Sequence, residues 1–258
     1  MEEQPQWVTG RQAVLQMVLD QPEYVDIVYV QKNKRKDTQK LIDSCRERQV
    51  KYQIVPKERL DALTDRKHQG MAARMLQAGF CDVETIWASL ESAPLPVLIA
   101  LDQVQDQGNL GSLARTAYAL GTGGLVVTKN RAAYLGPRAY TASAGALGKL
   151  PIARITNMAR FLRECQDRFY APYYAGTDAH CVDAFSATVE WPAVLVLGNE
   201  EKGVRPGVRK ECRAGLTIPM LGSFDSLNVS HAGCILLGEM LRQWRSRQGA
   251  GPRPGGDG

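Results

Sequence analysis

The chain has 258 residues, 44% of them hydrophobic and 23% charged, with a formal net charge of +5. That length holds one large domain or two small ones, and the composition is that of an ordinary folded protein rather than a fibrous or disordered one. No apolar run approaches the roughly 20 residues a membrane-spanning helix needs, so no membrane partner is expected. Residues 1–7 carry two glutamates and lack the apolar stretch of a secretory signal. The six cysteines, Cys45, Cys81, Cys165, Cys181, Cys212 and Cys234, include no C-x-x-C pair. Free thiols in a reducing cytoplasm are expected, with neither a disulfide framework nor a metal site. The mild positive excess permits a nucleic-acid partner without requiring one.

Residues 11–75 alternate between helix and strand. Val14, Leu15 and Val18 make a short helical stripe, residues 27–30 a compact strand, and Leu41, Ile42 and Cys45 one face of a second helix. Val50, Tyr52 and Ile54 then alternate as a strand should. The pattern predicts a small α/β domain. Residues 32–51 hold eight Lys/Arg against three Asp/Glu. As charge alone this is a solvated face; the functional reading is a sequence-independent, salt-sensitive grip on RNA phosphates. His68, Gln69 and Gly70 stand near the end of the domain, and His68 is given no chemistry. Residues 71–96 read as a linker with one short helix, ending in S-A-P-L-P.

A larger α/β unit follows. Residues 97–101 predict a buried strand, a helix follows Asn109, and residues 124–128 predict the next strand. The small-residue run A-S-A-G-A within 137–147 suits close helix packing. Residues 152–155, 170–175 and 193–197 are further strands, and Met158, Phe161, Leu162 and Cys165 recur at helical spacing. Strands separated by helices imply an α/β fold with a mainly parallel sheet covered on both faces. The expected domains are 1–75, a linker over 76–96, 97–245, and a Gly/Pro-rich disordered tail over 246–258.

Three stretches carry the chemistry. In residues 218–239, I-P-M-L-G-S-F-D-S-L-N-V-S-H-A-G-C-I-L-L-G-E, a strand is predicted to end at Ile218, because Pro219 has no N–H to extend a ladder. A polar loop leads to Ser226 or Asn228, either of which can cap a helix bearing Ile235, Leu236, Met240 and Leu241. Backbone groups are then free at a helix mouth, where a small polar molecule can be held. Alone, this is an ordinary strand–loop–helix joint. In L-G-N-E-E-K-G, residues 197–203, a buried strand delivers Glu200 to the carboxyl edge of a sheet, where ligands bind; a plain polar turn is the alternative. In D-Q-G-N-L-G-S-L-A-R-T-A, residues 106–117, Gly111 permits close backbone approach. Arg115 is expected to share a cleft with Asn109 and can offer its planar fork to a phosphate; a surface ion pair is the plainer role.

In this order and spacing the three stretches resemble the SpoU family of RNA ribose 2′-O-methyltransferases, within the SPOUT superfamily, and the resemblance covers most of the chain. It implies S-adenosylmethionine as cofactor, bound at Gly198, Asn199, Glu200, Ile218, Met220, Ser226, Leu227 and Asn228, largely through backbone groups. It implies Arg115 as the catalytic residue, supported by Asn109, with Glu200 and Asn228 at the active site. It also implies a C-terminal trefoil knot, which neither composition nor periodicity predicts, and a homodimer whose twofold lies near the cofactor sites. The N-terminal domain resembles RNA-binding ribosomal proteins, so the expected partner is ribosomal RNA, with a guanosine of 23S RNA as target. The alternatives are a transfer-RNA ribose methyltransferase and a non-catalytic RNA-binding or ribosome-assembly protein. A Rossmann-type methyltransferase does not fit, since the glycines near residues 108–124 do not form that fingerprint.

Two points of chemistry stay open in the sequence. The ribose hydroxyl is a weak acid, yet arginine is protonated at ordinary pH. Either the site drives Arg115 to an unusual state, or Arg115 orients a phosphate or water that takes the proton. Three residues also depart from the family pattern: Gln107 stands where proline is common, Glu201 where glycine is common, and His231 where a small apolar residue is usual. Glu201 is strained if that position needs a positive φ.

Overall fold

Alternating apolar residues in the first part of the chain build a four-stranded sheet. The protein is described by a computed structural model covering residues 7–20, 22–32, 36–64, 67–75, 80–133, 135–223 and 226–249. The chain divides into two units between residues 78 and 79. The first contains β1 (Trp7–Thr9), α1 (Arg11–Asp20), β2 (Val25–Gln31), α2 (Lys36–Glu47), β3 (Tyr52–Val55), α3 (Lys57–Leu63) and β4 (Met71–Met75). The sheet order is β1-β4-β2-β3, with β2 and β3 parallel and β4 antiparallel to both its neighbours.

Period two divides the sheet between two cores. Val28, Val30, Met71 and Ala73 pack against Val14 and Val18 of α1 and Leu41 and Cys45 of α2. On the other face, Tyr29 and Ala72 meet Val55 and Leu60. Two expectations change. Residues 71–75 are not linker but an inner strand, whose alternation is hidden in the sequence because three of its residues are Met71, Ala72 and Ala73. On β3 it is Val55 that is buried, while Ile54 is 50% exposed, because the strand lies at a sheet edge.

The second unit contains α4 (Val83–Glu91), β5 (Leu95–Asp102), α5 (Gln107–Leu120), β6 (Thr122–Thr128), α6 (Pro137–Ser143), β7 (Ile152–Ile155), α7 (Met158–Asp167), β8 (Ala171–Ala175), β9 (Cys181–Asp183), β10 (Ala193–Gly198), α8 (Pro206–Arg209), β11 (Ala214–Thr217) and α9 (Val229–Arg247). Its seven strands run in the order β7-β6-β5-β10-β8-β11-β9, and every pairing is parallel. The fold is thus the expected parallel α/β sheet with helices on both faces. Leu98, Ala100, Val126, Val194 and Val196 meet α4 and α7 on one face. On the other, α9 comes so close that a Cβ on Gly233 would stand 2.5 Å from Leu113 and 2.8 Å from Leu197.

All four residues of the α7 stripe, Met158, Phe161, Leu162 and Cys165, are buried. The small-residue run lets α6 pack tightly on α5, where a Cβ on Gly111 would meet the Ala139 carbonyl at 2.3 Å. Three boundaries differ from expectation. The expected linker 76–96 contains α4, whose Ile86, Trp87 and Leu90 are buried in the core; an amphipathic face of that size does not stay in solvent. Asn109 lies inside the first turn of α5 rather than before it, since Asp106 is the cap and accepts the Asn109 N–H at 2.9 Å. The expected tail of residues 246–258 overlaps α9, which continues through Arg247; residues 250–258 lie outside the described residues.

Candidate active site

The carboxyl ends of β8, β10 and β11 and the start of α9 enclose a cavity of about 430 Å³. Gly198, Asn199, Glu200, Ile218, Met220, Ser226, Leu227 and Asn228 all line it, so one space gathers every residue expected around the cofactor. Local sequence explains the shape. Gly198 ends β10, and the chain folds back so tightly that a Cβ there would lie 2.2 Å from the Gly203 carbonyl carbon and 2.2 Å from the Val204 nitrogen. Asn199 and Gly203 close this loop by exchanging backbone hydrogen bonds of 3.1 and 2.9 Å. Gly203, not Glu201, takes the positive φ, at 64°, so Glu201 carries no left-handed strain. Across the cavity, Asn228 caps α9 by accepting from the Ser230 N–H at 2.9 Å, leaving Ile235 partly exposed and Leu236 buried.

A line of hydrogen bonds joins the three sequence stretches. Asn109 Nδ2 donates to Glu200 Oε1 at 3.0 Å, and Asn228 Nδ2 donates to Asn109 Oδ1 at 3.0 Å. Asn199 Nδ2 donates to the Gln103 carbonyl and to Glu200 Oε2, at 3.1 and 3.2 Å. Asn109 is buried, and both faces of its amide are used. The carboxylate of Glu200 is therefore held by two amides at the rim of the cavity.

Arg115 is placed differently from the expectation. It does not line the cavity, it is exposed, and among the described residues it has no ion pair or side-chain hydrogen bond. The reason is helical phase: six residues at 3.6 per turn turn the side chain by about 120° from Asn109. Asn109 points to Glu200 and Asn228, while Arg115 falls near the line of Gly111, which packs on α6.

Sequence reasoning missed two supports. Asp102, the fully buried last residue of β5, accepts from the Arg205 backbone N–H at 3.0 Å, from Nε at 3.0 Å and from Nη2 at 2.6 Å. This pair ties the strand before Asn109 to the loop after Glu200; the signal was an acid ending an otherwise apolar strand. Asp178 and Arg209, 2.9 Å apart, form the far wall of the cavity. Burial opposes ionisation of Asp178, but hydrogen bonds from the His180 N–H, Tyr174 and Cys181, with the Arg209 charge, hold its carboxyl below the usual range. Burial pushes the neighbouring Tyr174 phenol up.

The cavity has the size of a small-molecule site. Leu197, Leu216 and Leu236 supply apolar wall, and Asn199, Glu200, Asp178 and Asn228 supply polar groups. That mixture fits a nucleoside carrying an amino acid. Among the described residues, no group of three or more His, Cys, Asp or Glu could hold a metal, and no helix is long and apolar enough to cross a membrane.

These features define a parallel α/β protein with a cofactor-sized cavity at the carboxyl edge of its sheet. The sequence profile of the SpoU rRNA Methylase family matches residues 96–238, and that of the RNA 2′-O ribose methyltransferase substrate-binding domain matches residues 7–81. A Bacillus subtilis (strain 168) protein, YacO, named as a candidate TrmH family tRNA/rRNA methyltransferase, is 31% identical over 94% of this chain and 98% of its own. The SpoU methyltransferase AviRb from Streptomyces viridochromogenes, solved with AdoMet, superposes with a TM-score of 0.65 at 23% identity, covering 94% of this chain and 91% of its own. An AdoMet-bound rRNA methyltransferase from Sinorhizobium meliloti gives 0.62 at 24% identity, over 93% of this chain and 87% of its own. The chain belongs to the SpoU rRNA methylase family. It is an RNA ribose 2′-O-methyltransferase of that family, and S-adenosylmethionine is its methyl donor.

Proposed function

We propose that the chain methylates the 2′-hydroxyl of a guanosine in 23S ribosomal RNA. The observation that carries the ribosomal reading is the N-terminal unit. The Sinorhizobium rRNA methyltransferase has a counterpart for 93% of this chain. A TrmH/SpoU tRNA modifying enzyme from A. aeolicus, at 27% identity and a TM-score of 0.56, covers 65% of this chain and 84% of its own. A large part of this chain therefore has no counterpart in that tRNA enzyme.

In this reading the cavity holds the cofactor at Gly198, Asn199, Glu200, Ile218, Met220, Ser226, Leu227 and Asn228. S-adenosylmethionine supplies, when bound, an electrophilic methyl on a sulfonium. The protein's own contribution is alignment and exclusion of water. Asn109 and Asn228 fix the Glu200 carboxylate at the rim, where it can accept a hydrogen bond from the substrate. Arg115 orients a phosphate or a water that takes the proton of the 2′-hydroxyl.

Arg115 reaches such a site from a second copy of the chain. Its exposure and, among the described residues, its lack of an ion pair support this, as do Tyr118, 47% exposed, and Ile235, 38% exposed. Arg115 and Tyr118, three residues apart, share an exposed face of α5, and the Thr116–Cys234 contact at 3.0 Å pairs that helix with α9. A twofold dimer through that face is the proposed assembly, with the cytoplasm as its compartment. The knot expected in the C-terminal segment belongs to the same proposal.

The test is to supply the purified chain with methyl-labelled cofactor and two transcripts, unmodified 23S RNA and unmodified transfer RNA, and to map the label by nucleotide. Label at a guanosine 2′-oxygen of 23S RNA is expected. Label confined to transfer RNA overturns the substrate; saturable RNA binding with no label on either favours a non-catalytic RNA-binding protein.

A further inference from the structure

A second cavity, of about 570 Å³, opens within the N-terminal unit. Arg11, Lys40 and Lys67 line it against one carboxylate, Asp37, and the amides of Gln12 and Gln69 add polar surface. The turn of His68, Gln69 and Gly70 contributes Gln69 to its wall. Gln69 has a φ of 52° and Gly70 of 84°. A left-handed glutamine is a strained choice, by about 1 kcal/mol, and the surroundings fix it. His68 is buried, with Nε2 2.7 Å from the Asp61 carboxylate and Nδ1 accepting the Gly70 N–H at 3.0 Å.

The strained turn presents Gln69 to α1. Its Oε1 accepts the Arg11 backbone N–H at 3.4 Å, and its carbonyl accepts from Arg11 Nε at 3.3 Å. Arg11 Nη1 also lies 3.3 Å from Asp37, so the guanidinium is tethered at the cavity wall. Lys40 and Lys67 are exposed and, among the described residues, form no ion pair. Elsewhere in the basic segment of residues 32–51, Arg46 is engaged by Tyr52 at 3.0 Å and Asp43 at 3.8 Å, and Lys32, Arg48 and Lys51 are exposed but do not line the cavity. Two exposed ammonium groups, with a guanidinium held at the wall by Gln69 and Asp37, surround a concave space that suits the phosphates of a polynucleotide backbone, which is gripped by charge rather than by sequence.

We infer that this cavity is where the N-terminal unit seats a phosphodiester stretch of its RNA, so that the grip is localised rather than spread along residues 32–51. The inference rests on the ribosomal-RNA reading above. His68 and Gln69 are positioning residues in it, and Arg11, Lys40 and Lys67 make the contacts.

The experiment uses the full chain and an unmodified 23S RNA transcript, with binding measured across a salt series. The Lys40→Glu/Lys67→Glu variant is expected to bind about tenfold more weakly at 0.1 M salt, with a log–log salt slope shallower by about 2. Lys51 and Lys57, exposed on the same unit outside the cavity, serve as control; Lys51→Glu/Lys57→Glu should stay within about threefold of wild type. Calorimetric titration with S-adenosylmethionine should give unchanged affinity in both, which also reports an intact fold. Lys40→Gln/Lys67→Gln replaces the first variant if that one aggregates. Equal weakening of the two pairs, or wild-type binding by the cavity variant, overturns the inference. A wild-type chain that still methylates the transcript in that case leaves the substrate assignment standing; one that binds neither 23S nor transfer RNA overturns both.

Discussion

The side-chain amide of Asn109 donates to the Glu200 carboxylate at 3.0 Å and accepts from Asn228 at 3.0 Å. An amide suits this position, because one neighbour takes a hydrogen bond and the other gives one. Asn109→Asp keeps the acceptor but sets a second carboxylate against Glu200. Asn109→Ala only removes the bridge, leaving a polar gap. A hydrogen bond to a charged group contributes about 1.5–3 kcal/mol, so Asn109→Ala should lower methyl transfer by roughly 10- to 100-fold. Asn109→Asp should be the more damaging of the two, with a lower melting temperature as well. Equal loss in the two variants, measured by single-turnover methylation, would show that charge at this position is irrelevant.

Gly198 permits the fold-back that closes the loop carrying Glu200. A methyl group there would lie 2.2 Å from two backbone atoms, and backbone cannot rotate away as a flexible side chain does. Gly198→Ala should destabilise the chain by about 3 kcal/mol or more and weaken S-adenosylmethionine binding by a larger factor than RNA binding. Gly207, where an added Cβ would meet nothing within 4 Å, is the control, and Gly207→Ala should leave cofactor affinity unchanged. Urea unfolding and calorimetry on the two variants decide it; a wild-type cofactor affinity in Gly198→Ala would mean that the loop has room the geometry denies.

The placement of several residues around this cavity is legible in local sequence, while the roles given them come from the family resemblance. Gly198, Ile218 and Asn228 stand at strand ends or a helix cap, and those positions are written in local periodicity and turn chemistry. Asp102 and Arg205 escape because they are 103 residues apart, and no local pattern reports a pairing of that span. Strand β4 escapes for another reason: small alanines carry too little hydrophobic contrast to show period two. The phase of Arg115 is available in principle, since 3.6 residues per turn already separates it from Asn109. A spacing of six brings two residues onto one helix without bringing them onto one face.

Arg115 gives a prediction that separates one subunit from two. Arg115→Ala should abolish methyl transfer while leaving S-adenosylmethionine affinity nearly intact, because the residue does not line the cavity. If it serves the cavity of a partner, mixing inactive Arg115→Ala with inactive Glu200→Gln subunits restores one complete site in each heterodimer. Random reassortment of a twofold dimer then regains about a quarter of wild-type activity. A mixture that stays inactive, although exchange is shown by mass spectrometry, places Arg115 in its own subunit's chemistry or outside it.

Acid should weaken a charged network on α9. Glu239, buried on that helix, accepts from Arg242 Nε and Nη2 at 2.8 and 2.7 Å and from Gln243 at 2.9 Å. Hydrogen bonding to Arg242, ahead of the opposing effect of burial, holds its carboxyl below the ordinary 4.5. The folded pKa is the lower one, so this contribution is complete above the unfolded pKa and is lost as pH falls through the folded value. Glu239→Gln should therefore be less stable than wild type near neutrality, with the gap narrowing from about pH 5 downward. Unfolding free energies in urea across that range provide the check; a constant gap would assign the difference to packing.

Phe169 allows a stabilising change. Helix α7 ends with the Phe169 N–H on the Gln166 carbonyl at 2.8 Å and the Tyr170 N–H on the Cys165 carbonyl at 2.9 Å. That closure requires a left-handed residue, and Phe169 adopts it with a φ of 65° although glycine is the residue that does so without a Cβ penalty. The ring gives little in return, since the residue is 87% exposed. Phe169→Gly relieves about 1–2 kcal/mol of backbone strain and gives back part of it as chain entropy in the unfolded state. A net gain of about 1 kcal/mol corresponds to a melting temperature higher by roughly 2–4 °C in a chain of this size. Methyl transfer should be unchanged, because Phe169 lies at the amino-terminal edge of β8 and the cofactor cavity at the carboxyl edge. A lower melting temperature would mean that the exposed ring makes a contact worth more than the strain it imposes.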